Sequence, residues 1–390
     1  MVTHNTRDDS AAAPKRPAWS WARMLYLDNL RILLTALVIL LHLAIGYGAE
    51  GDWYYNEEGP ITQVSTILLT LFTAVNQAFF MGLFFMIASY LTPSSYERKG
   101  AGRYLLDRLK RLGIPILFYA LVIQPLLGYA LRLFHRDPDA LTRPPAFGMG
   151  PMWFVETLLV FSAGYVLWRL VRPARSTAEP ALKEGGAPGN AALALFALGM
   201  SLATFLVRIW FPVGWWLEPL HLQLAHFPQY IALFVAGVLA YRRNWLDRLA
   251  ARQGKLWMCV AVVLVPMFIV LAIAGGALEG NVAAFLVGWH WQALSYAVWE
   301  QFMCVAMVVT LLTLFRDRFD QQGSLTRTLS GDAYAVFIVH APVIVLIALA
   351  LSGVRIEMGL KFILVAPAAV ALSFAVGHLV RKLPFARNIL

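Results

Sequence analysis

Cysteine is almost absent: Cys259 and Cys304 stand in separate apolar segments, with no CxxC pair and no regular framework. That excludes a disulfide scaffold and a cysteine zinc site. Charge is scarce too, at 14% of residues against 59% hydrophobic. A soluble chain of this composition would carry more apolar surface than a core can hide, so lipid must cover the excess. The sequence also lacks any long hydrophilic block, which removes the two or three soluble domains that 390 residues would otherwise allow. There is no GxxxxGKS/T phosphate loop, no HExxH and no GxSxG elbow, so ATP-driven transport and zinc hydrolysis drop out and no metal is expected. His135 in HRDPD precedes Pro144 and Pro145 and reads as turn chemistry. No small-residue cleavage site follows the first apolar run, which is expected to stay as a span rather than leave as a signal peptide. The net charge of +10 lies in short runs between apolar segments rather than on one face, so nucleic acid is not an expected partner.

What remains is a series of apolar windows about twenty residues long, each enough to cross a bilayer. They fall near 30–48, 64–91, 112–134, 152–171, 190–210, 227–241, 256–275, 293–315, 332–351 and 360–380. The fold class is therefore all-α: a polytopic bundle of about ten transmembrane helices. Connecting segments alternate in charge. Of 32 basic residues, only Arg132, Arg136, Arg143, Arg208, Arg355 and Lys361 fall on the sparse side, and Arg31 lies inside the first span. The rest share the other side with both termini, which places both chain ends in the cytoplasm. The expected organisation is a cytoplasmic tail over 1–28, one membrane domain over 29–382 and a short cytoplasmic tail over 383–390. The polar stretch 172–190, rich in Pro, Gly and Ala, reads as a flexible cytoplasmic connector. The outer loop 48–60 carries Trp53, Tyr54, Tyr55, Glu57 and Glu58, and is either an interfacial anchor or a sugar-binding lip.

Polar groups inside spans are the functional candidates, because Arg or Asp there costs roughly 2.5–3.5 kcal/mol on insertion scales. Arg31 and His42, eleven residues apart on one helix, lie on nearly the same face and roughly 16 Å apart along the axis. Taken singly, Arg31 reads as a snorkelling residue with Asp28 as N-cap and partner, and His42 as an interhelical hydrogen bond. Arg108 and Arg111 in RYLLDRLKRLGIP stand one turn apart at the inner entrance of the third span. They suit a phosphorylated ligand or serve topology alone. Asn76, Gln77, Glu156 in GPMWFVETLL, Glu300 and Gln301 in YAVWEQFM, and Tyr334 and His340 in LSGDAYAVFIVHAPV complete the set. His290, between Trp289 and Trp291, reads as interfacial.

Taken together, YLDNLRILLTALVILLH with its R-x10-H spacing, RLKRLGIP, GPMWFVETLLVF, YIALFVAGVLAYRRNWL and LSGDAYAVFIVHAPV resemble the membrane-bound acyltransferase 3 family from Tyr26 to about Val380. The likeness is to the branch that includes periplasmic glucan succinyltransferases. It implies a multi-pass enzyme of the cytoplasmic membrane. Such an enzyme moves an acetyl or succinyl group from cytosolic acyl-CoA (acetyl-CoA or succinyl-CoA) to a hydroxyl of a periplasmic or lipid-linked glycan. The family's Arg-and-His pair falls on Arg31 and His42, and its RxxR pair on Arg108 and Arg111. One departure is visible: FFMIASY has Ala88 and Ser89 where relatives often carry Ser and Gly, which puts a tight helix contact in question. On this reading Arg31, Arg108 and Arg111 bind the phosphates of coenzyme A. His42 is general base or transient acyl carrier, with Glu156 or Glu300 to orient it. Trp153, Tyr334 and His340 are expected to bind substrate. The rival reading is a proton-coupled secondary transporter or flippase with the buried His and Glu residues as relay. Nothing in the sequence signals an oligomeric state.

Overall fold

Backbone groups in hydrocarbon find no water, so an apolar run must close its own hydrogen bonds as a helix. The computed structural model describes residues 24–137, 139, 143–144, 147–172, 186–218 and 221–389. Most of the connector at 172–190 and of the tail at 1–28 lies outside the described residues. Within them, ten helical spans are long and apolar enough to cross a membrane: α1 (Leu25–Gly46), α2 (Gln63–Lys99), α3 (Ala101–Phe134), α4 (Gly150–Val171), α5 (Asn190–Arg208), α6 (Leu224–Arg243), α7 (Ala251–Ala274), α8 (Trp291–Arg318), α9 (Ser324–Leu351) and α10 (Met358–Lys382). The chain is a multi-pass membrane protein. Large apolar side chains left uncovered, such as Val262, Val263 and Val270 on α7 and Ile363 and Leu364 on α10, face where lipid would be.

The first span starts earlier than the apolar pattern alone indicates. Met24 is the N-cap and α1 begins at Leu25, so Asp28 sits in the first turn and does not cap the helix. It still pairs with Arg31, at 2.5 Å, as the i,i+3 spacing requires. Helix α1 packs against α2, α8, α9 and α10, which makes it central to the bundle.

Two ends of the bundle are defined by contacts far apart in sequence. At one, the Tyr26 amide donates to Asp320 (3.0 Å), Asn29 to the Phe319 carbonyl (2.6 Å) and the Arg111 Nε to the Ile389 carbonyl (3.4 Å). Arg31, Arg108 and Arg111 belong to this end, called here the arginine end. At the far end, the Met358 amide donates to the Pro60 carbonyl (2.9 Å), and Glu357 caps α10 through the Leu360 amide (2.9 Å). The Ser65 hydroxyl and that amide hold the Glu357 carboxyl down at about 2.

The Ala88–Ser89 departure does not open the helix contact. Ser89 is fully buried against α6, where Gly237 supplies the missing room. A Cβ on Gly237 would stand 2.0 Å from the Ser89 Oγ and 2.3 Å from the Met86 carbonyl oxygen. Gly237→Ala is therefore expected to destabilise the bundle by about 1–3 kcal/mol through overpacking. Gly199→Ala, with nothing within 4 Å of the new carbon, should leave the unfolding midpoint in detergent unchanged.

Candidate active site

His42 lies near the far end of α1, where its ring meets the Val38 backbone and, as its side-chain partner, an imidazole from α9. His340 Nε2 stands 3.1 Å from His42 Nδ1. The other nitrogen of the wholly buried His340, Nδ1, lies 2.6 Å from the Phe337 carbonyl oxygen. A carbonyl only accepts, so this contact fixes the neutral His340 as the Nδ1–H tautomer. Its Nε2 must then accept, which places a proton on His42 Nδ1. What is left on His42 is an unprotonated Nε2.

That nitrogen belongs to a residue on the wall of a cavity of about 600 Å³. The wall combines α1, the inner face of α2, the start of α4 and the far-end loops, and includes Trp153, Trp216, His226, Tyr296 and Phe337. Trp153 lines the same space as His42. His340 is one step back, behind His42.

Of the two roles open to the loop 48–60, surface anchor or sugar-binding lip, the structure shows neither in simple form. Trp53 folds inward and stacks on His42, ring centroids 3.9 Å apart at 16°. Tyr54 follows it, donating to Gln124 Oε1 (2.5 Å) and meeting the Tyr119 hydroxyl at 3.0 Å. Burial pushes the Tyr54 phenol up to about 12. The loop is tied down by a buried ion pair of Glu57 with Lys361, whose Nζ also donates to the carbonyls of Leu351 (2.7 Å) and Val354 (3.0 Å).

Arg108 and Arg111 lie in a different place, the arginine end, where α3 widens into a π-turn over Leu109–Gly113. Pro115 has no N–H to return to the carbonyl of Arg111 four residues back. The Tyr334 hydroxyl donates to that carbonyl instead, at 2.9 Å, and Arg108 bonds the Tyr104 hydroxyl at 3.1 Å. This separates Tyr334 from Trp153 and His340, with which the sequence groups it as substrate-binding. Tyr334 and His340 share α9, but six residues, about 9 Å of helix rise, separate them, and Tyr334 sits with the arginines. Nearby on α9 and α10, Asp332 holds His378 (2.8 Å) and Arg381 (2.9 Å).

Neither expected carboxylate reaches His42. Glu300 is fully buried and bound to Arg208 (2.7 Å), with His226 Nδ1 at 3.5 Å. Glu156 is buried one turn along α4 from Trp153, its Oε2 without a hydrogen-bond partner among the described residues. A carboxylate in a bundle interior goes to the nearest buried cation, and on α5 that is Arg208. Sequence reasoning missed His340 as the partner of His42, the stacking of Trp53, and Arg208 with His226. A signal existed for part of this: Arg208 and Lys361 are two of the six basic residues on the sparse side, and both are buried in ion pairs there.

A family model described as an acyltransferase domain matches residues 24–380. Glucans biosynthesis protein C of Salmonella paratyphi A is 26% identical over 234 residues, 56% of this chain and 58% of the relative. The protein of that name in Escherichia coli is 32% identical over 95 residues, 24% of this chain and 23% of the relative. The matched stretches thus span less than two thirds of these relatives. No solved structure matches.

Proposed function

Because the chain belongs to this acyltransferase family, we propose that it carries an acyl group, acetyl or succinyl, from acyl-CoA at the arginine end to a sugar hydroxyl at the His42 cavity. The observation that carries the reading is the tautomer-locked imidazole pair. It leaves one basic nitrogen, His42 Nε2, in a residue on the wall of a cavity large enough for a sugar ring. By the positive-inside rule the arginine end faces the cytosol and the cavity faces outward, as in a cytoplasmic membrane.

Arg31, Arg108 and Arg111 bring positive charge to the cytosolic mouth, where they suit the phosphates of coenzyme A. Eleven residues of α1, roughly 16 Å of rise, separate Arg31 from His42, so the acyl end of the donor has to extend inward along the bundle. There His42 Nε2 takes the proton of the acceptor hydroxyl as its oxygen attacks the thioester carbonyl. The ester C–O bond forms, the C–S bond breaks, and the departing thiolate receives the proton from His42. His340 Nε2 accepts from His42 Nδ1–H throughout and supports the transient imidazolium. The relatives' name points to a glucan acceptor.

The test is acyl transfer by the purified protein with acyl-CoA and a glucose oligosaccharide, followed by CoA release and product mass. Arg108→Ala with Arg111→Ala is expected to raise the donor KM at least tenfold, the loss of one or two charge-assisted hydrogen bonds, with little change in acceptor KM. An unchanged donor KM would return both arginines to a purely topological role.

A further inference from the structure

His42 shares the cavity wall with a second imidazole, His226. It stands just before Pro228 at the start of α6 and is 3% exposed. One edge of its ring is held from behind. Its Nδ1 lies 3.5 Å from Glu300 Oε1 and 3.3 Å from Arg208 Nη2, and those two form an ion pair at 2.7 Å. Gln301 extends the network, donating to Glu300 at 3.2 Å and accepting from Gln229 at 3.2 Å. Burying an ion pair behind a histidine carries a desolvation penalty that simple packing would not require. With Nδ1 engaged in this network, Nε2 is the nitrogen left to a ligand.

The neighbours of His226 are aromatic. Tyr230 stacks on His226 (6.0 Å, 26°) and on Trp153 (5.7 Å, 24°), and Trp153 lines the cavity. Trp216 and Tyr296 line it as well. Flat aromatic faces beside a few fixed hydrogen-bonding groups suit a polyhydroxylated ring, which has an apolar face and a polar edge. The charge on the wall narrows the class further. Among the described lining residues are Glu50 and Asp52 but no Lys or Arg. The charge of Arg208 is matched by Glu300, and its guanidinium lies over the Tyr296 ring at 5.3 Å. An anionic acceptor would meet two carboxylates and no free cation.

We propose that His226, fixed by Arg208 in its ion pair with Glu300, binds a hydroxyl of the acceptor and, with Trp153, seats an uncharged sugar ring so that one particular hydroxyl reaches His42. This rests on the acyl-transfer reading above and adds the acceptor's charge class and the residue that sets its regiochemistry. The Glu300–Arg208 pair acts through His226 as a positioning device.

The experiment uses the full-length protein in nanodiscs with acyl-CoA and two probes of equal length, a glucose oligosaccharide and a glucuronic acid oligosaccharide. Initial rates give KM for donor and acceptor, and NMR locates the ester. The wild type is expected to favour the neutral probe at least tenfold in kcat/KM and to acylate one position. His226→Ala should raise the acceptor KM about tenfold, the loss of one hydrogen bond, spread the ester over several hydroxyls and leave the donor KM unchanged. His226→Gln, which keeps a polar group near Nε2, should recover part of both effects, and stands in if the alanine variant fails to fold. Unchanged acceptor KM and ester position in the variants, or a wild-type preference for the anionic probe, would overturn the proposal. A wild type that releases no CoA with either probe contradicts the acyl-transfer reading itself, and this inference with it.

Discussion

His42→Ala is expected to lower acyl transfer by about 10² to 10⁴, the range for removal of a positioned general base. The substitution deletes the unprotonated Nε2 of a residue on the cavity wall, and the imidazole beside it is not placed to replace it: His340 is engaged with the Phe337 carbonyl and lies behind the first ring. It also strips His340 Nε2 of its donor and Trp53 of its stacking partner, at a stability cost of about 1–3 kcal/mol for the orphaned acceptor. His42→Gln keeps a hydrogen-bonding side chain of similar reach and should fold with less penalty, yet it has no basic nitrogen and should be equally inactive. Both variants should keep the wild-type affinity for acyl-CoA phosphates, since the arginines lie roughly 16 Å of helix rise away. A folded His42→Ala protein that transfers at the wild-type rate removes the imidazole from the chemistry.

The second large effect is expected at His340. His340→Phe fills the space but removes the acceptor that keeps the proton on His42 Nδ1. The His42 imidazole then keeps only its backbone contact with Val38 and can more readily take the other tautomer, with Nε2 protonated and no lone pair there to receive a proton. A loss of about a hundredfold or more in kcat follows, by analogy with triads whose orienting group is lost, while the donor KM stays put. His340→Gln, whose side-chain oxygen can accept from Nδ1–H, should restore part of the rate. A purely structural role for His340 predicts something else: a lower unfolding midpoint with kcat preserved in the folded fraction. Nitrogen-15 shifts of labelled histidine separate the two, because only the tautomer account predicts a change in which His42 nitrogen carries the proton.

What could be read from the sequence follows the range of the physics involved. Span number and helix type depend on runs of about twenty apolar residues, and Arg31 with His42 on the period of a single helix. Both are local. The partner of His42 is not: His340 is 298 positions away, and only the packing of α1 on α9 brings them together. The expectation of a carboxylate beside His42 failed for a specific reason. The fold fixes the tautomer with the Phe337 carbonyl, a group that every residue carries and no pattern marks. Tyr334 was legible in part, since a proline four residues after Arg111 announces a carbonyl in need of a donor. Arg208 and Lys361 were legible as exceptions in the charge count, although their partners Glu300 and Glu57 were not. The loop at 48–60 shows the limit of composition. Aromatics among acids look interfacial, and only tertiary contact turns Trp53 onto an imidazole.

Sidedness distinguishes transfer through the His42 cavity from any other route. The protein is reconstituted in sealed vesicles of known orientation, with isotopically labelled acyl-CoA on one face only and a neutral glucose oligosaccharide on one face only, and the label on the sugar is measured by mass. Labelled sugar is expected when the donor is at the arginine end and the acceptor at the far end, and none when the two are exchanged. Equal labelling with donor and acceptor both at the arginine end would contradict it, because transfer would then not pass through the His42 cavity.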